Sequence, residues 1–174
     1  MILPVPRNRL IGALRASSDD LLGYFLRRLD YEDAADALAE VMTTAWRRVD
    51  ALPKTPEEAR MWLFGIARNV LLHADRGIIR RAKLAARLRD TLTARAAPAA
   101  DAGVEIRDAI GRLDSDHAEL IRLVHWDGFS IAEAAEILQI PSSTARGRYQ
   151  KAKEILRASL STGMITRRSS SQDS

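Results

Sequence analysis

Ser143, Arg146, Gly147, Gln150 and Lys151 have the types and spacing to read a polyanion, provided the segment that carries them is a helix. In the run IPSSTARGRYQKAKEIL, residues 140–156, Ala145, Tyr149, Ala152 and Leu156 fall at i, i+4, i+7 and i+11 and would face a core. The five residues named first then point outward. Arginine, glutamine and lysine can donate hydrogen bonds to base edges and phosphates, and a glycine among them lets backbone approach closely. The other reading of the same residues is a helical hairpin with ordinary surface charge.

Enzymatic chemistry has no comparable support. The three histidines are His73, His117 and His125; the last two stand eight apart, whereas one helical metal face needs a spacing of three or four. Each reads as a satisfied or exposed histidine. Cysteine is absent, which excludes disulfides and thiolate metal sites. No glycine-rich phosphate loop and no nucleophile-elbow serine occurs in the chain. The expectation is a protein that is not an enzyme, with no catalytic residue, no metal and no cofactor.

A helix that reads DNA must be positioned by others. Before it runs FSIAEAAEILQ, residues 129–139, in which Ser130 and Glu133 have capping-box spacing and set a helix start just before Ile131. Ala134, Ala135 and Leu138 supply its apolar face. Pro141 stops continuation, and Ser142 or Ser143 can cap the next helix. Two short helices joined by a tight turn make a helix-turn-helix, whose second helix enters the DNA major groove. Upstream, helical periodicity passes through Ile106, Ile110 and Leu113, then Leu120, Ile121 and Val124, to a break at Asp127-Gly128.

In the amino-terminal half, Leu38, Met42, Ala45, Trp46 and Val49 form one stripe of an amphipathic helix. Pro53 and Pro56 end it in the loop ALPKTPEEAR. A second helix starts near Glu57, with acids in its first turn and Trp62, Leu63, Ile66, Ala67 and Val70 on its apolar side. It continues, with a break expected at Gly77, into a basic tract. Strand signals are almost absent, so the fold class is all-α. TARAAPAADAG, residues 93–103, has too few large apolar groups for a core and reads as a connection between two domains, while the serine-rich end from Thr162 reads as a disordered tail.

At 174 residues and 47% apolar content the chain can build one ordinary domain or two small ones. Its net charge of +4 is unevenly spread. Residues 19–40 hold seven acids against Arg27 and Arg28, residues 76–89 hold six basic residues and no acid, and residues 146–157 hold five basic residues against Glu154. One acidic and two basic faces suggest a protein partner together with a polyanion; solvated helix faces are the alternative. The start of the chain lacks a signal-peptide pattern and no run approaches a membrane span, so no membrane insertion and a cytoplasmic location are expected.

GFSIAEAAEILQIPSSTARGRYQKA resembles region four of bacterial sigma factors of the extracytoplasmic-function (ECF) group, in the sigma-70 family. DALAEVMTTAWRR and MWLFGIARNVL are similar to region two of the same group, and order, spacing and linker agree across residues 19–160. The departures are Ser143 for a glycine, Gly147 for a serine, Ala39 for a glutamine, His73 for an aspartate, and Leu113-Asp114 for Leu-Pro. They bear on promoter sequence and binding strength rather than on class.

The resemblance implies an alternative sigma factor that binds core RNA polymerase and directs promoter-specific initiation. It divides the chain into an N-terminal tail (1–18), region two (19–90), a linker (91–103), region four (104–160) and a disordered tail (161–174). In region two, Asp36, Glu40 and Met42 would dock on the coiled coil of the polymerase largest subunit; without the resemblance the two carboxylates would read as merely solvated. Arg60, Trp62, Arg68, Asn69, Arg76, Arg80 and Arg81, with the loop before Trp62, would serve the minus-ten element: Asn69 and the loop by capturing a flipped base, Arg76, Arg80 and Arg81 by following phosphates. In region four, Ser143, Thr144, Arg146, Gly147, Arg148, Gln150 and Lys151 would meet the minus-thirty-five element. An anti-sigma factor is a further implied partner. The alternative function is a free-standing helix-turn-helix transcriptional regulator with an N-terminal sensor or dimerisation domain.

Overall fold

The computed structural model describes residues 5–89, 106 and 109–170, with side chains for residues 6–73, 106, 109–159 and 161. Among these residues every regular element is helical: α1 (Val5–Leu26), α2 (Tyr31–Arg47), a single 3-10 turn (Val49–Ala51), α3 (Pro56–Arg89), α4 (Ser115–His125), α5 (Ile131–Leu138) and α6 (Ser142–Ser170). They fall into two compact units, one within residues 1–93 and one within 94–174. The expected linker, 91–103, lies outside the described residues.

The amino-terminal unit packs α1, α2 and α3 against one another. Contrary to the expected tail over 1–18, α1 begins at Val5 and buries Leu10 and Ser17 before Leu21, Tyr24 and Phe25. These positions follow a helical repeat that Gly12, two serines and two aspartates conceal in the sequence. Tyr24 meets Phe25 and Phe64 edge-on at centroid distances of 5.3 and 5.5 Å, which makes an aromatic centre for the core. Asp30 caps α2 by accepting the Asp33 N–H at 2.9 Å.

The buried stripe of α2 is Ala34, Ala37, Val41 and Ala45; of the expected stripe of Leu38, Met42, Ala45, Trp46 and Val49, Ala45 alone is buried. Small residues let α2 approach its neighbours closely, and the large apolar residues are left on a flank. Thr55 caps α3, accepting the Glu58 N–H at 3.2 Å and donating its hydroxyl to the Glu58 carboxylate at 3.0 Å. Leu63, Phe64, Ile66, Ala67 and Leu71 are buried, while Trp62 and Val70 are half-buried. The helix passes Gly77 without the expected break, because one glycine costs a helix interior only about 1 kcal/mol.

In the carboxyl-terminal unit Asp114 caps α4, accepting the His117 N–H at 3.0 Å, and Ile110, Leu113, Ala118, Ile121 and Ala152 form a core that Tyr149 and Leu156 flank. Gly128, at φ 74°, turns the chain into α5. There the capping box is complete: Ser130 Oγ accepts the Glu133 N–H at 3.2 Å, and the Glu133 carboxylate accepts the Ser130 N–H at 2.7 Å.

Helix α5 ends on Gln139, a non-glycine residue at φ 56°, with the Ile140 N–H reaching back to the Ala135 carbonyl at 3.0 Å. Pro141, rather than either serine, holds the capping position of α6: its carbonyl accepts the Ala145 N–H at 3.0 Å, and Ser142 and Ser143 lie in the first turn. Helix α6 continues to Ser170, so the segment from 161 that was expected to be disordered is helical up to that residue, with no proline to end it. Residues 171–174 lie outside the described residues.

Candidate nucleic-acid interface

Ala145 and Ala152 are fully buried along α6, and Ser143, Arg146, Gly147, Gln150 and Lys151 are exposed on the opposite side. The spacing in the sequence therefore translates into a single outward face. A Cβ built on Gly147 meets nothing within 4 Å, so the backbone there is open to an incoming surface. Thr144 is half-buried beside this face. Lys151 lies 3.9 Å from Glu154, a loose pair exposed on both sides, so its ammonium remains accessible.

Arg148 does not share that face. Its Nη1 lies 2.8 Å from the Asp116 carboxylate in the first turn of α4. On the far side of α6, Tyr149 stacks on His125 with a 3.0 Å contact between its hydroxyl and Nε2, and Lys153 lies 5.3 Å from the Tyr149 ring centre. Asp114 has its carboxyl below the ordinary carboxylate range, chiefly because the His117 N–H donates to it and then because His117 Nδ1 approaches it at 2.5 Å.

The residues expected to serve the minus-ten element divide between two sides of α3. Asn69 lines a groove of about 670 Å³ between α2 and α3, together with Asp36, Glu40, Arg48 and His73. Arg60 turns the other way, to α1, where it pairs with Asp20 at 3.0 Å and lies 4.9 Å from the centre of the Phe64 ring. Arg68 and Trp62 are half-buried. Arg76, Arg80 and Arg81 belong to α3, but their side chains lie outside the described residues.

The residues expected to dock polymerase divide as well. Asp36 and Glu40 face the α3 groove, whereas Met42 and Trp46, 36% and 41% exposed, lie on the opposite flank of α2. At about 100° per residue, Glu40 and Met42 cannot share a face. The Arg7 guanidinium lies 5.7 Å from the Trp46 ring centre.

Some contacts went unread in the sequence. The loop before α3 lines a second groove, of about 510 Å³, against α1, and Arg9 of α1 donates to the Pro53 carbonyl there. The small residues Gly12, Ala13 and Ala16 at the floor of that groove are the trace it leaves in the sequence. The Asp116–Arg148 pair joins residues far apart in the chain and has no local signature. Among the described residues, no group of three or more acidic or histidine side chains could hold a metal ion, and no helix is long and apolar enough to cross a membrane.

Residues 103–156 match the family described as Sigma-70, region 4. Over 142 residues the chain is 28% identical to the ECF RNA polymerase sigma factor SigL of Mycobacterium tuberculosis, in three strains; the match covers 79% of this chain and 80% of that protein. Two solved structures share the fold at 21% identity. The sigma factor RpoE from Bartonella quintana, in complex with the anti-sigma factor NepR, matches with a TM-score of 0.58 over 89% of this chain and 96% of that one. CnrH, in complex with the cytosolic domain of CnrY, matches with a TM-score of 0.62 over 90% of each chain. The region 4 match falls on the segment that carries the outward arginine, glutamine and lysine, and the similarity to the ECF sigma factor SigL extends over most of the chain.

Proposed function

We propose that the protein is an alternative sigma factor that binds core RNA polymerase and brings it to a specific promoter, the polymerase performing all the chemistry. The observation that carries this reading is the outward face of α6, with Arg146, Gly147, Gln150 and Lys151 presented on a capped helix-turn-helix within the segment that matches region 4. That face reads the minus-thirty-five duplex, the glutamine at base edges and Arg146 and Lys151 at phosphates.

The amino-terminal unit, from α1 onward, serves as region two. Its helix α2 docks on the coiled coil of the polymerase largest subunit through Met42 and Trp46 on one flank and Asp36 and Glu40 on the other. Asn69 offers its side-chain amide to a base edge of the minus-ten element. Residues 91–103 link the two units. An anti-sigma factor is a further partner, a reading supported by the complex in which the RpoE relative was solved. The protein acts in the cytoplasm, where the polymerase is, and is not itself catalytic.

Run-off transcription tests the reading: core polymerase from the same organism, on the protein's own upstream DNA, with and without the protein. Factor-dependent initiation that disappears in Arg146→Ala with Lys151→Ala is the expected result. Tight duplex binding with no effect on core initiation would make the protein a free-standing regulator instead.

A further inference from the structure

We infer that Arg148 is a positioning residue rather than a DNA contact: it acts through Asp116, and the pair sets the angle at which α6 presents its reading face. The inference rests on the assignment of α6 as the duplex-reading helix. At about 100° per residue, Arg148 lies about 130° from the middle of the face formed by Ser143, Arg146, Gly147, Gln150 and Lys151. It points at α4, where its Nη1 meets Asp116 Oδ2 at 2.8 Å.

The packing explains why such a pair is needed. Helix α6 rests on its unit through Ala145 and Ala152, both fully buried, with Tyr149 and Leu156 only partly so. Methyl contacts resist rotation of a helix weakly, whereas a guanidinium–carboxylate hydrogen bond is directional. Its anchor is itself fixed, because Asp116 stands in the first turn of a helix whose start Asp114 caps through the His117 N–H at 3.0 Å. Bound to a carboxylate, Arg148 adds little net charge to the field met by DNA, so phosphate affinity comes from Arg146 and Lys151.

Binding of the full-length chain to a duplex tests this, using an oligonucleotide selected from a random library by the unmutated protein and titrated across a range of salt concentrations. Asp116→Asn and Arg148→Gln should each weaken binding by about five-fold, the size of one surface ion pair, with the salt dependence unchanged. The exchanged pair, Asp116→Arg with Arg148→Asp, should restore affinity to within about two-fold of the original. An Arg148 that touches phosphate gives the opposite pattern: Asp116→Asn binds more tightly, Arg148→Gln lowers the log–log salt slope by about 0.9, and the exchanged pair binds worse than either single variant. Any of these overturns the inference, and the single variants decide even if the exchanged pair does not fold. Absence of duplex binding by the unmutated chain would overturn this inference together with the DNA-reading assignment, whereas binding without core-dependent initiation would overturn only the sigma reading.

Discussion

Helices α2 and α6 solve the same packing problem and show the solvent different chemistry. Both turn alanines inward, Ala34, Ala37 and Ala45 in one, Ala145 and Ala152 in the other. Helix α2 leaves Met42 and Trp46 exposed on one flank and two carboxylates on the other; α6 leaves an arginine, a glutamine, a lysine and an open glycine. Apolar area with acids suits a protein that must exclude water, where affinity comes from a few desolvated anchors and depends little on salt. A basic face suits a polyanion, where affinity comes from released counterions and falls steeply with salt. The small residues inside are what free the large ones for partners.

The largest effect that would break this comparison is at Trp46. Trp46→Ala should weaken binding to core polymerase by about 2 kcal/mol or more, with little salt dependence and no change in duplex binding, as measured by titrating labelled protein with each partner. A purely electrostatic α2 would instead lose most of its affinity in Asp36→Asn with Glu40→Gln. On α6, Arg146→Ala with Lys151→Ala should lower the log–log salt slope of duplex binding by about 1.8 and weaken binding about ten-fold near physiological salt, leaving polymerase binding intact.

Gly147→Ala sharpens the contrast because its two effects differ in sign. The added methyl has open space in the free protein and should raise helix stability by up to about 1 kcal/mol in thermal melts, yet weaken duplex binding by filling the approach to the backbone. The smallest effect lies away from both faces. Asp114 has a lowered pKa when folded, so its contribution to stability is present above the ordinary carboxylate range and lost as pH falls through the lowered value. Asp114→Asn keeps a capping oxygen and should make the acid side of the stability–pH profile shallower in melts across that range.

The carboxyl-terminal unit was legible because its signals are local. Ser130 and Glu133 announce their cap three residues apart, Pro141 marks the turn, and the spacing of Ala145 and Ala152 separates inside from outside over two turns. The amino-terminal unit was harder for the opposite reason. Hydrophobicity alone nominates Met42 and Trp46 for the core, and only the close approach of neighbouring helices reveals that Ala34 and Ala37 take that place. Helix α1 was hidden by Gly12, Asp19 and Asp20 on its exposed side and by Ser17 at a buried position, although Leu10, Leu21, Tyr24 and Phe25 keep the repeat. Arg148 shows a further limit: a motif gives a residue type and a position, but the carboxylate that claims the side chain comes from another helix.

The two buried alanines of α6 also bear on how such proteins diversify. Since Ala145 and Ala152 carry the packing, none of Arg146, Gly147, Gln150 or Lys151 is needed to hold the unit together. Duplicated copies of the gene could exchange those four residues and drift towards new target sequences without passing through unfolded intermediates. Substitutions on the alanine side would be purged for instability before their effect on targeting could be sampled.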